Sequence, residues 1–457
     1  MGEAAKLAYQ RRTAPDGTAQ VDADALLDLT AQAIDAALAM GHDVSAVAMS
    51  TMWHCLLGLA ADGTPATPVY TWADRRAADA ATELRERLDE RAVHARTGCP
   101  LHSSYWPAKL AWLHASAPSA VARVRAWVSP GEYIQRRLFG DAPVGTSMAS
   151  ATGLLDQHRR HWDREVAEAV GAADALPAID DTPLRGLRDE WARRWPSLRD
   201  VPWFPAVGDG ACSNVGTGCV THDRAALMVG TSGAMRVMWA ADDVPIPPGL
   251  WCYRADARHV LMGGSLSDGG SVVAWLRRLT RLPSPAEAER EIAAMAPDAH
   301  GLTVLPLLSG ERGPGWADEA SAAVAGLSLA TEPIHLLRAS LEAVALRFAL
   351  IDELLMDALP EERHVIATGG GLVASPAWTQ IMADALGRPV TASAVREGSS
   401  RGAALLALEA LGEIDSLEAA DVPLGETFEP DARHTAVYRR ALARQRDLYD
   451  ATVERDR

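Results

Sequence analysis

Residues 208–233 constrain most strongly what this chain can fold into. The stretch opens with a single carboxylate between two glycines, Gly208-Asp209-Gly210, and continues with small residues. About one helix later come an apolar run, a four-residue turn over 230–233 and a second apolar run, a pattern that predicts a β-hairpin. Such a turn leaves backbone N–H groups and hydroxyls pointing outward, where they can bind an anion.

A carboxylate and an anion-binding turn are the two parts that transfer of a phosphoryl group to a hydroxyl requires. The carboxylate of Asp209 would take the hydroxyl proton as a general base, and the turn would hold the charge of the phosphate. Glycine-rich turns are also common structural features. Residues 208–213 match a dinucleotide-binding pattern only weakly, because Ser213 occupies its third glycine position. The stretch alone therefore leaves phosphate chemistry and an ordinary turn open.

The length and charge of the chain exclude several classes of protein. Its 457 residues are too many for one hydrophobic core, so two domains are expected. The formal net charge of −16 argues against nucleic acid or an anionic membrane as the main partner, although a locally positive pocket can still bind an anionic substrate. The two lysines, Lys6 and Lys109, form no Gly-Lys-Ser/Thr triplet, which excludes a Walker-type phosphate loop.

The cysteines and apolar runs are typical of a cytoplasmic protein. The five cysteines are scattered, odd in number and without C-x-x-C spacing, which favours neither a disulfide framework nor a zinc site. No apolar run approaches membrane-spanning length, and the first residues lack the apolar core of a signal peptide. A cytoplasmic location is therefore expected.

Several segments further along the chain have the patterns of an α/β protein. Residues 44–50 predict a buried strand with Trp53 and His54 just beyond its carboxyl end, where open α/β sheets place ligands. An apolar strand over 364–368 precedes three glycines and a helix, which favours a nucleotide site and leaves a flexible crossover as the alternative. Residues 337–355 have apolar side chains in steps of three and four, which predicts a long helix facing the core.

Seven segments together resemble the FGGY family of carbohydrate kinases, and its gluconokinase-type members most. Each segment alone is a weak signal, but their joint order between about residue 18 and residue 450 is specific to the family. The segments are Ser50-Thr51-Met52-Trp53-His54, Thr71-Trp72-Ala73-Asp74-x-Arg76, Ser147-Met148-Ala149-Ser150-Ala151-Thr152-Gly153, Gly208-Asp209-Gly210-Ala211, Gly230-Thr231-Ser232-Gly233, Gly310-Glu311-Arg312-x-Pro314 and Gly369-Gly370-Gly371-Leu372.

The resemblance implies an α/β fold with two ribonuclease-H-like domains of the actin and hexokinase type and a cleft between them. Residues 1–220 would form the N-terminal, sugar-binding domain, and residues 221–457 the C-terminal, ATP-binding domain. ATP and Mg²⁺ are the implied cofactors, with magnesium bridging the phosphates through waters held by carboxylates. No residue of this chain is assigned as a direct metal ligand.

The resemblance also assigns roles to individual residues. Asp209 is the general base on the primary hydroxyl. The hairpin turn would hold the terminal phosphates and the glycine segment would back the adenine and ribose; these residues are Gly230, Thr231, Ser232, Gly233, Gly369, Gly370, Gly371 and Leu372. The candidates for binding the polyol and carboxylate of the substrate are Trp53, His54, Trp72, Asp74 and Arg76. For Trp72 a core position is the alternative, and for Arg76 a pairing with Asp74.

One departure from the family pattern concerns the N terminus. The family begins with an Asp-x-Gly-Thr-Ser strand, the first phosphate motif, on a hairpin that has no counterpart here. About 25 residues are expected to be missing, which is the length of two strands and a turn, and the N-terminal domain would be truncated. The chain would then start in the third strand, over 4–11, and leave unpaired backbone beside residues 44–49. Either the true start lies upstream or the protein is catalytically impaired.

These observations predict an ATP-dependent kinase that phosphorylates a sugar acid, with gluconate first, at its terminal hydroxyl. One alternative is a non-catalytic sugar or nucleotide sensor on a kinase scaffold. Another is a kinase for a different polyol, such as xylulose or glycerol. A dehydrogenase is disfavoured because no strand–GxGxxG–helix unit with a following acidic residue occurs. The expected partners are a small-molecule sugar acid and ATP, and a homodimer is left open.

Overall fold

The computed structural model describes residues 5–453. Its strands are β1 (Arg12–Thr13), β2 (Ala19–Val21), β3 (Ser50–Thr51), β4 (Leu57–Leu59), β5 (Val69–Tyr70), β6 (Ala126–Val128), β7 (Leu155–Asp156), β8 (His161–Trp162), β9 (Val207–Gly208), β10 (Arg224–Val229), β11 (Gly233–Ala240), β12 (Trp251–Arg254), β13 (His259–Leu266), β14 (Thr303–Leu305), β15 (Ala323–Ala325), β16 (His364–Thr368), β17 (Val390–Ser393) and β18 (Leu424–Phe428).

The helices alternate with these strands, as the α/β pattern predicts. They are α1 (Ala23–Leu38), α2 (Ala78–Arg87), α3 (Glu90–Thr97), α4 (Trp106–Ser116), α5 (Pro118–Val121), α6 (Pro130–Phe139), α7 (Thr146–Ser150), α8 (Arg164–Ala169), α9 (Asp189–Arg194), α10 (Asp209–Gly216), α11 (Gly270–Leu279), α12 (Pro285–Ala294), α13 (Pro333–Ala358), α14 (Gly370–Val373), α15 (Pro376–Leu386), α16 (Gly398–Ala410) and α17 (Ala432–Thr452). Among the described residues, none of these helices has the length and hydropathy that spanning a bilayer requires.

The described chain divides into two compact units, and neither is continuous in sequence. The first unit contains residues 5–216, 239–261 and 397–420. The second contains residues 217–238, 262–396 and 421–453. The expected division into residues 1–220 and 221–457 assigns a binding function to each half, and that assignment stays a prediction.

Small sheets and two hydrophobic clusters build the first unit. The sheets are β1-β2-β5 and the pairs β3-β9, β4-β6 and β7-β8. One cluster includes Trp106 and Trp127, and the other includes Trp195 and Trp203, all of them buried. Tryptophans bury a large apolar area each, so these four side chains contribute strongly to both clusters.

The segment that leads to Trp53 is less regular than expected. In place of a strand over 44–50, the structure has an isolated bridge between Val47 and Trp203, and then β3. The N–H of Val47 donates to the carbonyl of Pro202 at 2.9 Å, so one edge is paired in parallel. Val47 also accepts the N–H of Phe204, and Met49 accepts the N–H of Val207, while the expected unpaired backbone beside residues 44–49 stays a prediction. A strand with one paired edge is interrupted easily.

The expected strand over 4–11 is wrong for the residues that the structure describes. Residues 5–11 have no regular secondary structure, and β1 begins at Arg12 and pairs only with β2. Ala4 lies outside the described residues. A strand needs a neighbour for its N–H and C=O groups, and no segment of the described chain offers one to residues 5–11.

The second unit contains all or most of six of the seven strands of the largest sheet, in the order β13-β11-β10-β16-β17-β18. β10 and β11 form the predicted antiparallel hairpin, whereas β10, β16 and β17 run parallel. Met228 near the end of β10 lies opposite Thr368 at the end of β16. The turn after β10 and the glycines after β16 therefore leave the sheet side by side, at the carboxyl ends of parallel strands.

Helix α13 confirms the predicted core-facing helix. The apolar residues of its stripe are all buried, namely Leu337, Leu341, Val344, Phe348, Ile351 and Leu355. A Cβ atom on Gly233 would lie 2.6 Å from the ring of Phe348, and one on Gly264 would lie 2.7 Å from the side chain of Ile351. Glycine at these strand positions thus lets α13 pack directly on the hairpin and its neighbour.

Helices α10 and α16 cross at glycines within the first unit. A Cβ atom on Gly402 would lie 1.8 Å from the carbonyl oxygen of Cys212, and one on Gly216 would lie 1.8 Å from that of Gly398. Separations below 3.0 Å to backbone atoms cannot be relieved by a side-chain rotation. The two backbones therefore touch, and α16 fixes the helix that begins at Asp209.

We expect the substitution Gly402→Ala to lower the free energy of unfolding by about 1–3 kcal/mol, because the added methyl forces the two helices apart. The effect opposes the higher helix propensity of alanine, which alone would add up to about 1 kcal/mol. Chemical denaturation measures the change. Ser400→Ala, at an exposed position of the same helix, is the control and should change stability by less than about 0.5 kcal/mol. An unchanged stability in Gly402→Ala would show that the crossing is loose.

Candidate active site

Asp209 is the first residue of α10 and follows directly on β9. Its side chain is exposed, and its Oδ1 accepts the N–H of Gly210 at 2.9 Å. Unsatisfied N–H groups at the start of a helix favour a negative charge, so the carboxylate lies where its ionised form is stabilised. An exposed, ionised carboxylate at the carboxyl end of a strand can accept a proton from a bound hydroxyl.

The backbone before Asp209 is held by Trp53 and Ser147. A Cβ atom on Gly208 would lie 1.9 Å from the indole of Trp53, so the ring packs against the bare glycine backbone. The Gly208 N–H donates to Ser147 Oγ at 3.1 Å, and the Trp53 indole N–H donates to the Ser147 carbonyl at 3.0 Å. Three segments that the sequence singled out separately are thereby brought together at one point.

The next residue, His54, has an unusual backbone and a defined ring orientation. Its φ of 63° lies in the left-handed region, which costs a non-glycine residue about 1–2 kcal/mol. Its Nδ1 lies 2.7 Å from the carbonyl oxygen of Ala151. A carbonyl can only accept, so Nδ1 holds a proton, and in the neutral ring Nε2 is then the nitrogen with the lone pair.

Two tyrosines enclose the His54 ring, and sequence reasoning did not assign them to the site. The rings of Tyr105 and Tyr253 approach it edge-on, with centroids 5.0 and 5.4 Å away, and their hydroxyls are hydrogen-bonded to each other. Tyr105 lies between residues 97 and 156, a stretch rich in aromatic and polar residues. Tyr253 lies on β12, about 200 residues from His54, and no local pattern points to it.

Burial and three neighbouring groups set the pKa of the Cys55 thiol. Burial raises its pKa to about 12, a hydrogen bond from the Trp72 backbone and the Lys109 charge oppose the rise, and the Asp209 charge adds to it. The hydrogen bond puts the Trp72 backbone beside the residue that follows His54, and the contact between Gly208 and Trp53 puts Asp209 beside the same strand end.

Asp74 and Arg76 form an ion pair with each other. Arg76 donates from Nε at 3.0 Å and from Nη2 at 2.6 Å to the two oxygens of the buried Asp74 carboxylate, whose Oδ2 also accepts the N–H of Ala19. The guanidinium lies over the ring of Trp112, 4.5 Å from its centroid. The pairing that was the alternative for Arg76 is thus formed, and it leaves Arg76 Nη1 without a hydrogen bond to the described residues.

The hairpin turn in the second unit is tied to the start of α11. The carbonyls of Gly230 and Thr231 accept N–H groups of Gly269, Gly270 and Ser271 at 2.8–3.1 Å. Thr231 is exposed and Ser232 half-buried, and within residues 5–453 neither hydroxyl has a hydrogen-bond partner. The turn is therefore held through its carbonyls, which leaves its hydroxyls available to an anion.

The glycine segment after β16 packs against the end of β10. A Cβ atom on Gly369 would lie 2.4 Å from the carbonyl oxygen of Val229, whereas one on Gly370 would meet no atom within 4 Å. Gly371 also approaches Val229, and the side chain of Leu372 is buried. The two segments expected to bind the nucleotide are thus neighbours within one unit, with open space above Gly370.

Among the described residues, one set of three side chains has the spacing of metal ligands, namely Asp298, His300 and Glu342, with ligand atoms within 4.8 Å of one another. Arg338 donates to Glu342 at 2.5 Å, and Arg444 donates to both oxygens of Asp298 at 2.6 Å. His300 lies 2.9 Å from Glu342. Two guanidinium groups already neutralise these carboxylates, so the set does not fit a resident metal ion.

Comparison with known proteins decides the family. The family model for the N-terminal domain of the FGGY family of carbohydrate kinases matches residues 2–216, and the model for its C-terminal domain matches residues 225–411. The chain belongs to the FGGY family of carbohydrate kinases. Its predicted fold, two α/β domains of the actin and hexokinase type, is confirmed.

Relatives with different substrates are similar to this FGGY protein. The gluconokinase of Bacillus subtilis (strain 168) is 29% identical over 408 residues, which cover 86% of this chain and 79% of the relative. Crystal structures of a ligand-bound xylulose kinase and a gluconate kinase, both from Lactobacillus acidophilus, superpose with TM-scores of 0.89 and 0.88 at 26% identity. Both alignments cover 97% of this chain and 92% of the other.

The comparisons give no support to the expected truncation of the N-terminal domain. The family match begins at residue 2, and the structural alignments cover nearly all of the chain. The missing first phosphate hairpin itself stays a prediction.

We expect Ser147→Ala to lower the free energy of unfolding by about 1–3 kcal/mol, because the buried N–H of Gly208 loses its acceptor. The indole bond to the Ser147 carbonyl does not depend on the side chain and remains. Urea denaturation followed by tryptophan fluorescence measures the loss. Ser116→Ala, which removes an exposed serine bond at the end of α4, should change the free energy by less than about 0.5 kcal/mol. Equal effects of the two substitutions would mean that Ser147 does not hold the strand before Asp209.

Proposed function

We propose that this FGGY carbohydrate kinase transfers the terminal phosphoryl group of ATP to the terminal hydroxyl of a sugar acid, with gluconate as the leading candidate. The observation on which the proposal rests is the exposed carboxylate of Asp209 at the start of α10, beside the Trp53 and His54 strand end. The similarity to a gluconokinase and to a gluconate kinase structure supports the choice of substrate.

Asp209 acts as the general base in this proposal. Its carboxylate takes the proton of the substrate hydroxyl while the oxygen forms a bond to the terminal phosphorus. The bond from that phosphorus to the bridging oxygen breaks, and ADP leaves with the electron pair. The products are the phosphate ester, ADP and one proton, which Asp209 releases to solvent through its exposed side.

His54 and Trp53 orient the sugar chain next to Asp209. His54, whose Nδ1 is held by the Ala151 carbonyl, binds a substrate hydroxyl with its ring. The left-handed backbone and the flanking tyrosines restrict the ring to this orientation. Preorganised acceptors bind a polyol without the entropy cost of ordering a mobile side chain. Half-buried Trp72 presents its ring to the same substrate in this proposal.

Arg76 binds the carboxylate of the sugar acid through Nη1. Its Nε and Nη2 are already bound by Asp74, which fixes the plane of the guanidinium. Asp74 is therefore a positioning residue in this proposal, because its oxygens are occupied by Arg76 and a backbone N–H. The neighbouring negative charge weakens the attraction to an anion, so Arg76 contributes specificity more than affinity.

The second unit holds the nucleotide in this proposal. The hydroxyls of Thr231 and Ser232 and the amides of the turn bind the terminal phosphates, and the segment 369–372 backs the adenosine. Magnesium, when bound with ATP, neutralises charge on the phosphate oxygens. The set of Asp298, His300 and Glu342 is neutralised by arginines, so it is not proposed as the site of this ion.

A kinase for xylulose or glycerol is the alternative closest to this proposal, and the xylulose kinase similarity favours including it in the test. No observation favours the non-catalytic sensor. The composition supports a cytoplasmic location, and the homodimer stays a prediction.

We expect the purified protein to phosphorylate gluconate in the presence of ATP and Mg²⁺, with kcat/KM at least about tenfold above the values for xylulose and glycerol, because only gluconate offers Arg76 a carboxylate. A coupled ADP-release assay over this panel measures the ratios. A preference for xylulose or glycerol would mean that the proposed substrate is wrong and that the proposed phosphoryl transfer still holds. Calorimetric binding of gluconate and ATP without turnover of any substrate would favour the sensor.

We expect Asp209→Asn to lower kcat about 10²–10⁴-fold, because the amide cannot take the hydroxyl proton. Calorimetric affinities for gluconate and ATP should stay within about threefold, since the side chain keeps its size and position. Asp189→Asn is the matched control, because Asp189 is likewise an exposed first residue of a helix, α9. If the Asp209→Asn variant kept more than a tenth of the normal kcat, Asp209 would not be the general base.

A further inference from the structure

A cavity of about 430 Å³ lies wholly within the first unit. Its volume is in the range of small-molecule sites, about 300–1,000 Å³. None of the residues assigned to the sugar or nucleotide lines it. Its walls come from the strand segments beside β3 and β9, from the second half of α16, from the turn between β12 and β13 and from residues 181–185.

The walls of this cavity are mostly apolar. Met49, Phe204, Val207, Leu406 and Leu411 all contribute to them, together with several alanines and prolines. Leu411 is 40% exposed, so part of the apolar wall faces solvent. A ligand with a hydrocarbon body would cover this surface and gain the free energy of its burial.

The charged groups at the cavity differ in the partners that they already have. Asp181 accepts both the N–H and the hydroxyl of Thr146, and Asp256 accepts the ring N–H of His259 at 2.8 Å. Glu409, the third carboxylate, accepts the N–H of Leu417 at 3.0 Å. All three carboxylates therefore have hydrogen-bond donors of their own.

The two arginines at the cavity have fewer partners in the described chain. Arg185 donates only to the backbone carbonyl of Asp200, and within residues 5–453 neither Arg185 nor Arg258 forms an ion pair. Both residues are exposed. Arg258 contributes, after a hydrogen bond from Ser416, to lowering the pKa of Glu418, but the two form no ion pair. Both guanidinium groups can therefore pair with an anionic ligand without breaking an ion pair of the described chain.

We propose that this cavity is a second ligand site, which binds an amphipathic anion with a hydrocarbon body and a carboxylate or phosphate head. The body packs against the apolar walls and the head pairs with Arg185 and Arg258. This inference goes beyond the proposed kinase reaction and does not depend on it. Val207 in the wall is two residues from Asp209, and Ser147, also in the wall, holds Gly208, so an occupant contacts the backbone that positions Asp209.

Calorimetric titration with four probes that share one hydrocarbon chain tests the proposal. The probes are octanoate, octyl phosphate, 1-octanol and octylamine. We expect the anions to bind at least tenfold more tightly than the alcohol, and octylamine to bind no better than the alcohol. Comparing octanoate with octyl phosphate identifies the preferred head. Equal affinity for all four probes, or no binding of any, would overturn the proposal.

Variants locate the binding on the protein. Arg185→Gln combined with Arg258→Gln should reduce octanoate binding to the level of 1-octanol and leave 1-octanol unchanged. The matched control is Arg159→Gln combined with Arg193→Gln, two exposed arginines that do not line the cavity, and it should leave both affinities unchanged. Leu406→Trp, which fills the cavity from a half-buried position, should weaken both probes at least tenfold. Wild-type octanoate affinity in the Arg185/Arg258 variant would overturn the proposal.

A structural readout completes the test. In the wild-type protein, octanoate should slow amide hydrogen exchange in residues 204–209 and 403–411, the segments that form two of the walls. Melting temperatures without probe establish that each variant is folded. Protection that appears only elsewhere in the chain would place the octanoate outside this cavity and overturn the proposal.

Discussion

The contact between the Trp53 indole and the backbone of Gly208 determines where the candidate base lies. Because glycine has no Cβ, the ring can pack directly on the chain one residue before Asp209. Ser147 then bonds to both partners, through its hydroxyl to Gly208 and through its carbonyl to Trp53. Three distant parts of the sequence thus converge on one small area, and the carboxylate projects from its edge. Any larger residue at position 208 would displace the ring, the strand or both.

In the second unit, glycines likewise let other elements approach the turn over 230–233 closely. Gly233 admits the ring of Phe348 from α13, and Gly369 admits the end of β10. The turn between β10 and β11 therefore packs against helix α13 and lies next to the glycine segment that follows β16. Rigid elements position binding groups more accurately than free loops do. In both units these glycines are needed because a side chain would block the contact between neighbouring elements. The backbone flexibility of glycine is less important at these positions.

Much of the fold could be predicted from the sequence, because its signals are local. The hairpin around 230–233, helix α13 and the strand over 364–368 all follow from periodicity and turn residues that are close in sequence. The segment 44–50 could not be predicted in detail, because its regularity depends on whether both edges find a partner. Tyr253 could not be assigned to the site, because it reaches His54 through tertiary packing alone. The discontinuous units likewise depend on contacts between residues far apart in sequence.

The left-handed backbone of His54 has a consequence for anyone who redesigns this protein. Glycine would relieve the backbone strain at that position, but it would also leave a buried gap between the two tyrosines and remove the hydrogen bond to the Ala151 carbonyl. The cost of the gap and the lost bond exceeds the relieved strain, so the imidazole contributes to stability as well as to the candidate site. A library that exchanges His54 in order to alter ligand preference would therefore lose folded protein first, unless residues around the two tyrosines are varied with it.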